Sequence, residues 1–167
     1  DKLTWVLTED GVLNISGSGP IPTYNTTTNV APWYAYRQNI TSAVLSEGVT
    51  AVGNYAFYAC YQLEQTNVPR NVQYIGEGAF YGCTALRDIV LPDGLGSIGR
   101  YAFRDCKNLR SVNIPESVTR IGDSTFYNCE QLRSVVIPGK VTTISYDTFY
   151  HCEGMKSVVI REGVQII

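Results

Sequence analysis

The stretch "LRDIVLPDGLGSIGRYAFRDCKN" at residues 86–108 decides the fold, because it recurs along the chain without a change of length. Its cysteine, Cys106, is one of five, and Cys60, Cys83, Cys129 and Cys152 keep the same interval of 23 residues. Phe57, Phe80, Phe103, Phe126 and Phe149 form a second column with that spacing. Leu63, Leu86, Leu109 and Leu132 form a third, continued by Met155, and Pro69, Pro92, Pro115 and Pro138 a fourth, broken by Arg161. A fixed period of this size marks stacked units that share one continuous core.

Within residues 86–108, Leu86, Ile89 and Leu91 fit a short strand with alternate side chains inward, ended by Pro92, which cannot donate to a ladder. The segment "DGLGSIG" reads as a turn with Leu95 and Ile98 inward and Gly99 closing a tight bend. Ala102, Phe103 and Cys106 are spaced for a single helical or 3₁₀ turn. The units run 40–62, 63–85, 86–108, 109–131 and 132–154, followed by a truncated sixth over 155–167. Ile40, Ala43 and Ser46 make the first unit degenerate, and Thr66 and Asn67 weaken the strand of the second. The predicted class is an α/β repeat solenoid with 23-residue rungs, short parallel strands and single helical turns.

The pattern L-x-x-I-x-L-P-x-x-L-x-x-I-G-x-x-A-F-x-x-C, clearest over 86–106 and 109–129, resembles the BspA-like leucine-rich repeats of bacteria, and the resemblance spans 40–167. It implies a right-handed solenoid with a parallel sheet on its concave face. It also implies a secreted or cell-surface setting, and adhesion among the relatives.

Residues 1–39 fall outside the repeat. "LTWVLTEDGVLNIS" (3–16) alternates as a hairpin, "SGSGPIPTYNTTTN" (16–29) is loop by composition, and "APWYAYRQN" (31–39) begins a short helix at Pro32. Together they suit an N-terminal capping segment over 1–39 before a repeat domain over 40–167. Asp1 in place of Met suggests a processed or excised chain. The ending "EGVQII" (162–167) carries no polar cap, so further repeats, another domain or self-association through this end are expected.

Composition narrows the function. The chain has 167 residues, 44% hydrophobic and 17% charged, which is globular usage. With 13 Lys+Arg against 15 Asp+Glu there is no global basic field for nucleic acid, and no apolar run is long enough to span a membrane. Twelve tyrosines and a single histidine suit an extended binding surface better than a catalytic cavity. No nucleophile elbow, phosphate-binding loop or dinucleotide fingerprint is present, and no catalytic, metal or cofactor site is expected. Cysteines 23 apart make a line rather than a tetrahedron, so Cys60, Cys83, Cys106, Cys129 and Cys152 read with the five phenylalanines as core. His151 beside Cys152 is expected to point out while the thiol points in, in a column that tolerates any residue.

Two surface columns are candidate binding stripes. Arg87, Arg110, Arg133 and Lys156 follow Glu64 and would span about 14 Å. They read either as a basic stripe for an acidic protein or polysaccharide, or as a solvated edge that deters aggregation. Tyr58, Tyr81, Tyr127 and Tyr150, interrupted by Arg104, read either as a contact platform or as a self-stacked rim. The functional expectation is a non-catalytic recognition module, plausible in adhesion to host protein or glycan. The alternative is a structural spacer that presents another domain.

Overall fold

The computed structural model describes residues 2–166, so Asp1 and Ile167, at the ends of the two expected segments, lie outside the described residues. Thirteen short strands follow one another: β1 Thr4–Leu7, β2 Val12–Ser16, β3 Gly19–Pro20, β4 Ser42–Leu45, β5 Val49–Ala51, β6 Gln65–Thr66 and β7 Tyr74–Ile75. Then come β8 Asp88–Val90, β9 Ser97–Ile98, β10 Ser111–Asn113, β11 Arg120–Ile121, β12 Ser134–Ile137 and β13 Ser157–Ile160. Parallel pairing sets like columns side by side, as in Ser111↔Asp88 and Ser134↔Ser157. The sequence period therefore becomes a spatial one, and the chain is a solenoid.

Alternation within each strand fills the core. Ile89 in β8, Val112 in β10 and Val135 in β12 are buried, while Asp88, Val90, Ser111 and Asn113 face out. Phe57, Phe80, Phe103 and Phe126 are fully buried, and with Phe149 their rings stack at 5.2–5.6 Å, within 3° of parallel. Offset stacking of this kind adds to the area each ring removes from water.

A second parallel ladder runs through "DGLGSIG", where the sequence suggested only a turn. Strands β7, β9 and β11 form it, with Ile75, Ile98 and Ile121 inward in register. Two-residue strands are too short to show an alternation in sequence. Gly99 is not a bend residue either. Its φ is not positive, but a Cβ there would lie 2.6 Å from the Glu77 nitrogen of the preceding rung. Glycine is needed for close approach of backbones.

The expected helical turn after Gly99 is a chain of hydrogen-bonded turns instead. Arg104 N–H donates to the Tyr101 carbonyl and Cys106 N–H to the Phe103 carbonyl, each three residues back. Between them, Tyr101, Phe103 and Asp105 donate to Asp123, Thr125 and Tyr127 of the next rung at 2.9–3.0 Å. Tyr101 and Asp105 have φ of 56° and 58°, left-handed values that stop a helix from propagating. The same holds along the whole column of Ala59, Gly82, Asp105, Asn128 and His151, which is therefore constrained rather than permissive. The one 3₁₀ segment assigned among the described residues is Tyr34–Tyr36.

Both strand ladders continue into the N-terminal segment. β1 and β2 form an antiparallel hairpin, β2 pairs in parallel with β4, and β3 pairs with β5. Trp33 tops the phenylalanine stack, 6.0 Å from Phe57, and its indole N–H donates to the Ala56 carbonyl at 2.8 Å.

Candidate functional site

The cysteine column lies inside the solenoid. All five thiols are free and buried. The Sγ of Cys83, Cys106, Cys129 and Cys152 donate to the carbonyls of Phe57, Phe80, Phe103 and Phe126 at 3.1–3.2 Å, so each tethers its rung to the one before. Burial pushes the Cys60 thiol up to about 12 and Cys152 up to about 11, and raises the other three strongly. His151 turns away from Cys152, its Nδ1 lying 3.8 Å from a Glu153 carboxylate oxygen. A protonated thiol bonded to a carbonyl is a packing group, not a nucleophile.

A pH dependence follows from these thiols. Below about pH 9 they are protonated in both folded and unfolded chains, and their contribution to stability is fully present. From there to pH 11 the unfolded thiols ionise while the folded ones keep their protons, so stability falls as pH rises. Thermal melts are expected to show a progressive drop in Tm from about pH 9 to about pH 10.5, smaller in a Cys106→Ala variant. Thiol reagents at pH 8 should leave the folded chain unlabelled on the time scale that labels the unfolded one.

The tyrosine column is engaged with itself. Tyr58 meets Tyr81 edge-on at 5.4 Å, and Tyr127 stacks on Tyr150 at 5.2 Å. Arg104 bridges the two pairs, its guanidinium 4.0 Å from the Tyr127 ring centre and 5.7 Å from that of Tyr81. The row also runs on into the N-terminal segment, where Tyr34 stacks on Tyr58 at 6.2 Å and Arg37 covers Tyr34 at 4.1 Å. Sequence reading missed Tyr34 and Arg37 because they stand outside the 23-residue register. Most of these ring faces already have a neighbour.

The basic column lies beside the first ladder, all four cations exposed. Main-chain bonds from Arg110, Arg133 and Lys156 to the preceding rung, at 2.7–3.3 Å, hold successive positions in line. Arg87 sits 3.5 Å from Glu64, whereas Arg110, Arg133 and Lys156 have no carboxylate within 4.0 Å among the described residues. Next to them the outward strand positions present valines: Val44, Val90, Val136 and Val159 are 49%, 74%, 39% and 52% exposed.

This face carries one seam. β6 does not pair with β8, which divides the first ladder into β1-β2-β4-β6 and β8-β10-β12-β13. The weak strand expected from Thr66 and Asn67 is where the break falls. Asn67 turns back instead: its amide oxygen accepts from Leu45 N–H at 2.8 Å and its Nδ2 donates to the Leu45 carbonyl at 2.7 Å. A groove of about 510 Å³ lies over the seam, with Val44 and Val90 among its walls.

Comparison with known proteins places this architecture. A family model described as the BspA type leucine rich repeat region matches six copies over residues 31–156. The chain belongs to the BspA-type leucine-rich repeat family. Among solved structures it is similar to a leucine rich repeat protein of T. pallidum, with 27% identity and a TM-score of 0.74 over 94% of this chain and 78% of that one. It is similar to a leucine-rich repeat protein of Bacteroides ovatus at 32% identity and a TM-score of 0.72, over 97% of this chain. A leucine-rich repeat protein from Eubacterium ventriosum matches at 26% identity and a TM-score of 0.64, over 98% of this chain. The BspA-type chain spans 48% of the Bacteroides protein and 59% of the Eubacterium protein. Among curated proteins none matches its sequence. No helix among the described residues is long and apolar enough to cross a membrane.

Proposed function

We propose that this BspA-type solenoid is a non-catalytic recognition module of a bacterial secreted or cell-surface protein. Its partner is an acidic, extended protein segment laid along the outer face of the first ladder. The observation that carries this reading is the line of Arg110, Arg133 and Lys156, without carboxylate partners among the described residues, beside the exposed Asn113, Val136 and Val159. Unneutralised cations at a fixed interval attract complementary charge, and the valines give a partner apolar surface to bury. A strand face of valines interrupted by Asn113, with no aromatic platform, suits a protein better than a sugar, so glycan adhesion ranks below protein adhesion. The tyrosine rim, already occupied by its own stacking, is the lesser candidate.

An array of extracellular-matrix proteins and glycans, probed with the labelled chain, tests the proposal. Saturable binding to an acidic protein is expected, weakened at least tenfold by combined Arg110→Glu, Arg133→Glu and Lys156→Glu, with Tm unchanged because the three side chains are exposed. Loss with Tyr127→Ala and Tyr150→Ala instead would move the site to the rim. No saturable binding at all would favour the spacer reading, and substrate turnover would overturn both.

A further inference from the structure

The chain has two tryptophans, and both line one cavity of about 370 Å³ between the β1–β2 hairpin and the segment that follows it. The repeat logic accounts for Trp33 as the top of the phenylalanine stack, but not for a cavity beside it. Trp5 and Trp33 meet at 6.2 Å and 70°, and Tyr24 meets Trp33 at 6.0 Å and 80°. These near-perpendicular rings form a corner. Because the Trp33 N–H is already bonded to the Ala56 carbonyl, that indole has no donor left for a ligand. Pro20, Pro22 and Pro32 also line the cavity, and proline has no N–H to donate.

Among the described residues of the lining, Lys2 is the one that carries a charge, and none is a carboxylate. Thr4, Ser18 and Tyr24 supply the hydroxyls. A sugar would bring more hydroxyls than this wall can satisfy, and buried polar groups without partners are costly. An apolar cavity of this size with few polar groups is the usual form of a small-ligand site. We propose that it binds a single aromatic ring carrying a carboxylate, with the ring in the Trp5–Tyr24–Trp33 corner and the anion toward Lys2. Such a group comes either from a free aromatic acid or from the carboxyl-terminal aromatic residue of a peptide. The site is separate from the strand face and does not depend on it.

Tryptophan emission reads this cavity alone, since the chain has no other indole. The chain is titrated with phenylacetate, with the peptide Ala-Ala-Phe, with its carboxyl-amide, and with benzyl alcohol and galactose. A saturable change is expected with phenylacetate, the free-acid peptide or both, and the stronger of the two identifies the source. Benzyl alcohol and the amide should bind more weakly, and Lys2→Ala, at an exposed position, should cost about fivefold in affinity for the acids. Three results would overturn the proposal: no saturable change with either acid while circular dichroism shows a folded chain, unchanged affinity in Lys2→Ala, or saturation by galactose instead.

Discussion

Replacing Phe103 with alanine is expected to lower the stability of the solenoid by about 3–5 kcal/mol, read from chemical unfolding. The ring is fully buried and stacked on both sides, 5.4 Å from Phe80 and 5.6 Å from Phe126. Its removal takes apolar area from the core and leaves a cavity that the tethered neighbouring rungs cannot collapse. In a nearest-neighbour architecture it also weakens two interfaces at once. Arg104, the next residue, is the control. Its guanidinium caps the Tyr127 ring at 4.0 Å in a partly exposed position, so Arg104→Ala should cost about 0.5–1 kcal/mol. Equal losses from the two would mean that the inward and outward columns are misassigned.

As with the same change at Gly53, Gly76 and Gly122, where a Cβ would also lie under 3.0 Å from main-chain atoms, Gly99→Ala should destabilise the solenoid. The new Cβ would lie 2.6 Å from the Glu77 nitrogen and the Gly76 carbonyl carbon, main-chain atoms that cannot retreat without opening the second ladder. Overpacking of this kind costs about 1–3 kcal/mol or more. Gly94→Ala is the comparison, since its nearest neighbour would be the Arg70 carbonyl oxygen at 3.6 Å and its φ is not positive. That substitution should be neutral or stabilise by up to about 1 kcal/mol through the unfolded chain.

The protein itself contains the natural version of the experiment. The column Gly53, Gly76, Gly99, Gly122 continues with Ser145. Gly76, Gly99 and Gly122 each donate their N–H to the preceding rung at 2.8–2.9 Å, but at Ser145 the hydroxyl donates to the Ile121 carbonyl instead, at 3.3 Å. The second ladder breaks there: β11 pairs with β9 but not with the following rung, and among the described residues pairing resumes only as an isolated parallel bridge between Thr143 and Ile166. Ile144 and Phe149, in the last complete rung, are only partly buried, unlike Ile121 and Phe126.

Long-range periodicity made the architecture legible. Columns of Leu, Phe and Cys at one interval admit one interpretation, and their burial follows from it. The second ladder was hidden because Ser97–Ile98 is too short to announce a strand. The left-handed residues were hidden because Tyr101 and Ser124 are not the residue types that announce that conformation. Trp33 was hidden as a stack member because it lies 24 residues before Phe57 rather than 23 and is not a phenylalanine. At the candidate surface, the positions of both stripes could be read, because a solenoid converts period into line. Their partners could not. That Arg104 sits on Tyr127 and that Glu64 takes Arg87 depend on side-chain reach, which spacing does not encode.

The most direct test of the recognition surface is a hydrogen-exchange footprint of the chain with its array-selected partner. Binding along the strand face predicts slowed amide exchange over β8, β10 and β12, with the turns carrying Tyr58, Tyr81, Tyr127 and Tyr150 unchanged. Protection confined to those turns, with the strands exchanging as they do in the free chain, would contradict it.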